Sequence, residues 1–224
     1  PYGFVNLQSS QNRLSLERPE ALNTAVEGER DLGIYYMWAN KEARRRFKDL
    51  VASGLKGSGD YGVATVGIYN GQGLNRYDSN RNPHVLARLA YPFQTESGQY
   101  WELGLSGYHG QFVPGGADST AKANGKPSFD DTRAAANFVL YPQPFGIEAE
   151  WTVGKGPEKT LDFDAYENGL GKFVGNIRSQ KLHGGYVQAS YKLDSSVGTV
   201  IPFSRWSFFD GARKFSSDAP TLKI

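Results

Sequence analysis

The 224-residue chain contains no cysteine, so disulfides, thiolate metal sites and a cysteine nucleophile are excluded. Methionine occurs once, and no apolar run approaches the ~18 residues that a membrane-spanning helix needs. A mean hydropathy of −0.52 agrees. Neither fact bears on a membrane barrel, because half of every barrel strand is polar. Charge of one sign is scarce as well. The 25 Lys and Arg stand against 23 Asp and Glu, a net +2, which gives no general footprint for nucleic acid. The chain opens on PYGFVNLQ and closes on APTLKI, without an initiator methionine or a leader pattern. The expectation is a single β domain over residues 1–224, incomplete at both ends.

What is present is glycine, 27 residues, with 13 Tyr and 13 Phe, a composition suited to strands and tight turns. The stretch FGIEAEWTVG alternates strictly. Phe145, Ile147, Ala149, Trp151 and Val153 share one parity, and Gly146, Glu148, Glu150, Thr152 and Gly154 the other. Such a strand has one apolar and one polar face. The pattern recurs at residues 31–38, 61–69, 85–91, 101–106, 133–140 and 186–193. Residues 200–209 carry aromatics on both parities, and residues 4–16 are polar and weakly patterned. The count is about nine strands of roughly ten residues, the length that crosses a bilayer at a tilt.

All four Trp (38, 101, 151 and 206) fall on the apolar parity. With Tyr91 they suit an aromatic girdle at a membrane interface; they would equally suit an aromatic-rich soluble core. The connections tip the balance toward the first. Short turns at FQTESGQ, YPQPFG and LDSSVG alternate with long polar links at 70–83, 111–131 and 154–182. Outer-membrane barrels alternate in this way, with short periplasmic turns and long extracellular loops. Residues 40–54 break the rule. Asn40 can cap a helix, Gly54 can end it, and Ala43, Phe47, Leu50 and Val51 fall on one face. This basic helix, with Arg44, Arg45 and Arg46, is expected on the periplasmic side, either as a plain solvated amphipathic helix or as a collar that concentrates anions.

The stretches ERDLGIYYMW, GDYGVATVGIYNGQGLN, YPQPFGIEAEWTVGKGPE, GGYVQASYKL and PFSRWSFFDGARKF, with SLERP near the start, resemble the phosphate-selective porin O and P family of Gram-negative outer membranes. The resemblance implies an antiparallel barrel of about 16 strands, usually trimeric, passing small anions by diffusion. Family members select anions with lumenal Arg and Lys. On the polar parity this sequence offers Arg13, Arg88, Arg133, Lys192 and Arg205 as pore-lining residues, but also Glu102, Glu148 and Glu150. The mixed lining points to a general porin with mild anion preference. The expected partners are outer-membrane lipid and lipopolysaccharide, small anions and further copies of the chain in a homotrimer.

Catalytic and metal chemistry finds little support. His84, His109 and His183 sit on separate segments without metal spacing, and GQG at 71–73 lacks the Lys-Ser/Thr of a phosphate loop. DFDAYENG at 162–169 faintly resembles a calcium loop, with Tyr166 at a ligand position. Glu148 and Glu150 are spaced like a glycosidase pair, but alternate positions of one strand more simply form a polar face. No cofactor, metal or catalytic residue is expected. Two rivals stay open: a soluble β-barrel or sandwich that binds a ligand, and a carbohydrate-active β enzyme. A porin requires Trp101, Trp151 and Trp206 on the outside.

Overall fold

The computed structural model describes residues 2–25, 31–73, 80–113, 128–159 and 177–214. Its main element is an eight-stranded antiparallel sheet. In chain order the strands are β1 (Gly33–Trp38), β2 (Ala64–Tyr69), β3 (His84–Gln94), β4 (Tyr100–Phe112), β5 (Phe129–Leu140), β6 (Phe145–Lys159), β7 (Ile177–Tyr191) and β10 (Phe203–Gly211). Each pairs with the next in sequence, so the sheet is a pure meander with β1 and β10 at its edges. A separate hairpin, β8 (Leu193–Ser195) with β9 (Gly198–Val200), occupies the link from β7 to β10.

The two parities go to opposite faces, and the apolar one faces outward. Leu89, Leu105 and Trp206 are 59–61% exposed, whereas Leu86, Arg88 and Glu102 on the other face are at most 3% exposed. A soluble sheet would do the reverse, because a contiguous apolar surface of this extent is not tolerated by water. The outward surface is a lipid-facing one, and the sheet is part of a transmembrane β-barrel. At the short-turn end the outward aromatics gather in a belt. Phe93 stacks on Trp101 at 4.1 Å, Tyr91 lies 4.8 Å from Phe93, and Phe145 stands opposite Tyr191. Trp151 and Trp206 lie farther up the outer face, each stacked on Phe208.

Several strands outrun the sequence reading. β4 continues to Phe112 and β5 begins at Phe129, while β6 runs to Lys159 and β7 begins at Ile177. The links expected at 111–131 and 154–182 are therefore shorter, and part of each is strand. The acidic stretch at 162–169 lies outside the described residues. On β10, Phe203 and Phe209 share the inner parity with Arg205, opposite Ser190, Gly184 and Gln188, which explains its aromatics on both faces.

The segment counted from residue 4 to 16 is not a strand. Residues 2–25 run as turns and bends, with one short helix α1 (Glu20–Asn23), across the polar face of the sheet. Phe4, Val5 and Leu22 are fully buried there. The basic helix does form, as α2 (Lys41–Ala52) between β1 and β2. The Asn40 side chain accepts a hydrogen bond from the Ala43 amide at 2.8 Å, which caps it. Gly54 follows the helix with φ +67°, a conformation glycine adopts without strain. Ala43, Phe47 and Leu50 are buried, but Val51 is 41% exposed and stands outside the expected apolar stripe. Leu50 joins Phe4, Leu55, Tyr100, Val139 and Tyr141 in a cluster at the short-turn end of the inner face.

Candidate channel lining

The inner face carries the ionisable side chains, and the residues of segment 2–25 meet them there. The Glu150 carboxylate accepts the backbone N–H of Phe4, at 3.0 and 3.1 Å to its two oxygens, and that of Val5 at 3.3 Å. The Gly3 amide donates to Ser106 Oγ at 3.0 Å, and the Tyr2 and Thr152 hydroxyls are 3.1 Å apart. Gly3 has φ +75°, a conformation glycine adopts without strain, and a Cβ there would crowd the Glu150 carboxylate. Farther toward the long-loop end, Arg133 donates to Thr24 Oγ1 at 2.8 Å and to the Thr24 carbonyl at 2.7 Å. Arg133 also pairs with Asp131 at 3.4 Å, and Asp131 accepts from Lys214. Buried backbone groups of an irregular segment need partners, and charged wall residues supply them.

The eight residues expected to line a pore therefore separate into two groups. Arg88, Glu102, Arg133 and Glu150 stand on the inner face but are at most 3% exposed. Arg88 donates to the Gly62 carbonyl at 3.2 Å and pairs with Glu102 at 3.4 Å, while the Tyr141 hydroxyl donates to Glu102 at 2.8 Å. Arg13, Glu148, Lys192 and Arg205 keep partial exposure. Arg13 reaches this face from the covering segment and lies on no strand. Glu148 accepts from the Tyr186 hydroxyl at 2.6 Å. Arg205 donates to Gln188 Oε1 and to the Glu17 carbonyl, both at 3.0 Å, with its guanidinium over the Tyr186 ring at 4.8 Å. Lys192 pairs with Asp194 at 2.7 Å.

Two further cations lie outside the strands. Arg18, on the covering segment, has its guanidinium pushed down to about 10, first by burial and then by the charge of Arg13. Lys56 joins Lys192 on a cavity of about 330 Å³ between the end of α2 and the β8–β9 hairpin. Neither belongs to a strand, so alternation could not reveal them; only the SLERP echo touched Arg18. At the same end each collar arginine has a carboxylate partner. Arg44 pairs with Asp60 at 3.2 Å, Arg45 with Asp49 at 3.0 Å, and Arg46 with Glu42.

The histidines remain apart. His84 is buried 3.5 Å from Asp131, His109 Nδ1 lies 2.6 Å from Thr132 Oγ1, and His183 packs on the outer face near Trp151 and Phe208. Among the described residues no three potential ligands gather in a metal-binding group.

Compared with known proteins, the sequence matches the family described as phosphate-selective porin O and P over residues 1–200. No curated protein and no solved structure matches the chain. With its apolar face outward and its charged face inward, the chain belongs to the phosphate-selective porin O and P family of outer-membrane channels.

Proposed function

We propose that the chain forms wall and constriction of a water-filled diffusion channel for small solutes with a mild preference for anions, and that it has no enzymatic activity. The observation that carries this is the sidedness of the sheet: exposed Leu89, Leu105 and Trp206 outward, charged Arg88, Glu102 and Arg133 inward. It argues against the soluble rival, whose core would need the apolar face. The carbohydrate-active rival loses its catalytic pair, since Glu150 is occupied by the Phe4 and Val5 amides and Glu148 by Tyr186.

Anion preference follows from which charges still meet water. Segment 2–25 lies over the inner wall, so the passage is bordered by that segment. The partly or fully exposed cations are Arg13, Arg18, Lys56, Lys192, Arg205 and Arg213, against Glu17, Glu20, Glu148 and Asp194 among the carboxylates. In a confined passage each acts on an ion more strongly than on an open surface. The excess is small, which favours general anion preference over phosphate specificity. The edge strands β1 and β10 need pairing partners in lipid, and a homotrimer in contact with lipopolysaccharide completes the proposal.

Reversal potentials in a salt gradient test the reading on the complete barrel. Arg205→Glu and Arg18→Glu should each shift the zero-current potential toward cations. An unchanged potential in both variants would remove these residues from the ion path and with them the proposed origin of selectivity.

A further inference from the structure

We infer that the outer face carries a phosphate-binding site for the glycolipid of the leaflet on the long-loop side, formed by Lys155 and Lys181. The inference rests on the barrel reading above. Lys155 on β6 and Lys181 on β7 are direct cross-strand partners, both exposed and both on the outward parity. Like charges placed directly opposite, with Cβ atoms about 5 Å apart, repel each other unless an anion lies between them. Among the described residues neither lysine has a carboxylate within ion-pair distance. Asp130 and Asp210 occupy the diagonal positions on β5 and β10 without closing such a pair, and Thr132 stands opposite Lys155.

Their depth identifies the ligand. The belt pair Phe145↔Tyr191 and the lysine pair Lys155↔Lys181 are 155 − 145 = 10 residues apart on β6. At ~3.3 Å per residue and a tilt of ~40° that is about 25 Å along the membrane normal, the height of a barrel's apolar band. Between the two levels β6 turns only Ile147, Ala149, Trp151 and Val153 outward. The lysines thus stand at headgroup level on the interface opposite the aromatic belt. Two ammonium groups there suit the phosphate monoesters of a lipid headgroup. A free solute phosphate would instead be expected inside the channel, on the other face.

The test is binding of diphosphoryl lipid A and of its dephosphorylated form to the complete barrel in detergent, read as lipid retained per barrel. Wild type and the double variant Lys155→Arg/Lys181→Arg should retain diphosphoryl lipid A. Lys155→Gln/Lys181→Gln should retain roughly tenfold less, with channel conductance unchanged. Equal retention by the glutamine variant, or equal retention of the dephosphorylated lipid by wild type, overturns the site. So does displacement of the lipid by inorganic phosphate alone. If the glutamine variant fails to fold, the two lipids compared on wild type decide the matter. A wild-type protein that binds the lipid but conducts no ions would instead sink the channel reading and leave this site standing.

Discussion

Replacing Glu150 with alanine should release the covering segment while leaving the barrel wall intact. The carboxylate accepts the amides of Phe4 and Val5, both fully buried. Deleting it strands two buried N–H groups, at about 1–3 kcal/mol each. Removing a buried charge offsets part of that, so the docking of the segment should weaken by roughly 2–4 kcal/mol, or upward of about thirtyfold in its docked population. Glu150→Gln keeps one acceptor oxygen and should fall between. In planar bilayers the alanine variant should show a larger and noisier single-channel conductance. Trypsin should cut after Arg13 faster than in wild type. The heat-modifiable electrophoretic shift of the barrel should persist, because Glu150 makes its bonds to the segment and the β6 ladder to β5 and β7 does not depend on it. An alanine variant with unchanged conductance and unchanged protease resistance would refute the anchoring argument.

Leu105→Arg places a charge on the 61%-exposed outer position of β4, above the belt and level with Trp151, and should cost ~2–4 kcal/mol near mid-bilayer, read as lost refolding yield into lipid vesicles. Arg88→Glu should also fold poorly, because it sets a second carboxylate beside the fully buried Glu102; refolding yield comparable to wild type would contradict that burial. Changing Arg44, Arg45 and Arg46 together to Gln removes three of six cations from residues 41–60, which hold three carboxylates, taking the local charge from 6 − 3 = +3 to zero. Anion conductance should then fall at low salt and recover near 1 M, where the Debye length is roughly 3 Å; an equal loss at both would indicate a folding defect. Arg18 stays cationic below its pKa of about 10, so anion preference should hold from neutral pH and weaken as pH rises toward that value, as reversal potentials taken across the range will report.

Alternation made the wall legible, and the same alternation hid what covers it. Leu103, Leu105 and Trp151 could be assigned to one face from sequence because period 2 is a property of each strand by itself. The helix was legible for the parallel reason, an apolar face at helical spacing behind an Asn cap. Segment 2–25 has no period. Phe4, Val5 and Leu22 are buried by its path over the sheet, and its backbone is satisfied by side chains more than a hundred positions away, Glu150 and Arg133 among them. A reading of residues 4–16 as a poor strand was the natural error, because a polar, turn-rich stretch shows its partners only after the sheet is assembled.

That error carries into the reading of the charges. Glu102, Glu150, Arg88 and Arg133 alternate as lumenal residues should, and the sheet does turn them inward. Inward and solvated are separate conditions. A charged side chain under an irregular backbone is best satisfied by bonding to it, which removes that charge from the ions passing by. Of the charges that still meet water, Arg205 lies on the edge strand and was open to the strand pattern, whereas Arg13 and Arg18 lie on the covering segment and Lys56 after α2, where no strand forms. On the proposed channel reading, the wall charges would set where the constriction lies, and the residues of the constriction would set what passes. Variants of Glu150 should therefore change conductance through geometry, and variants of Arg18 or Arg205 should change selectivity at nearly constant conductance. The two measurements, made on the same set of proteins, separate positioning from selection.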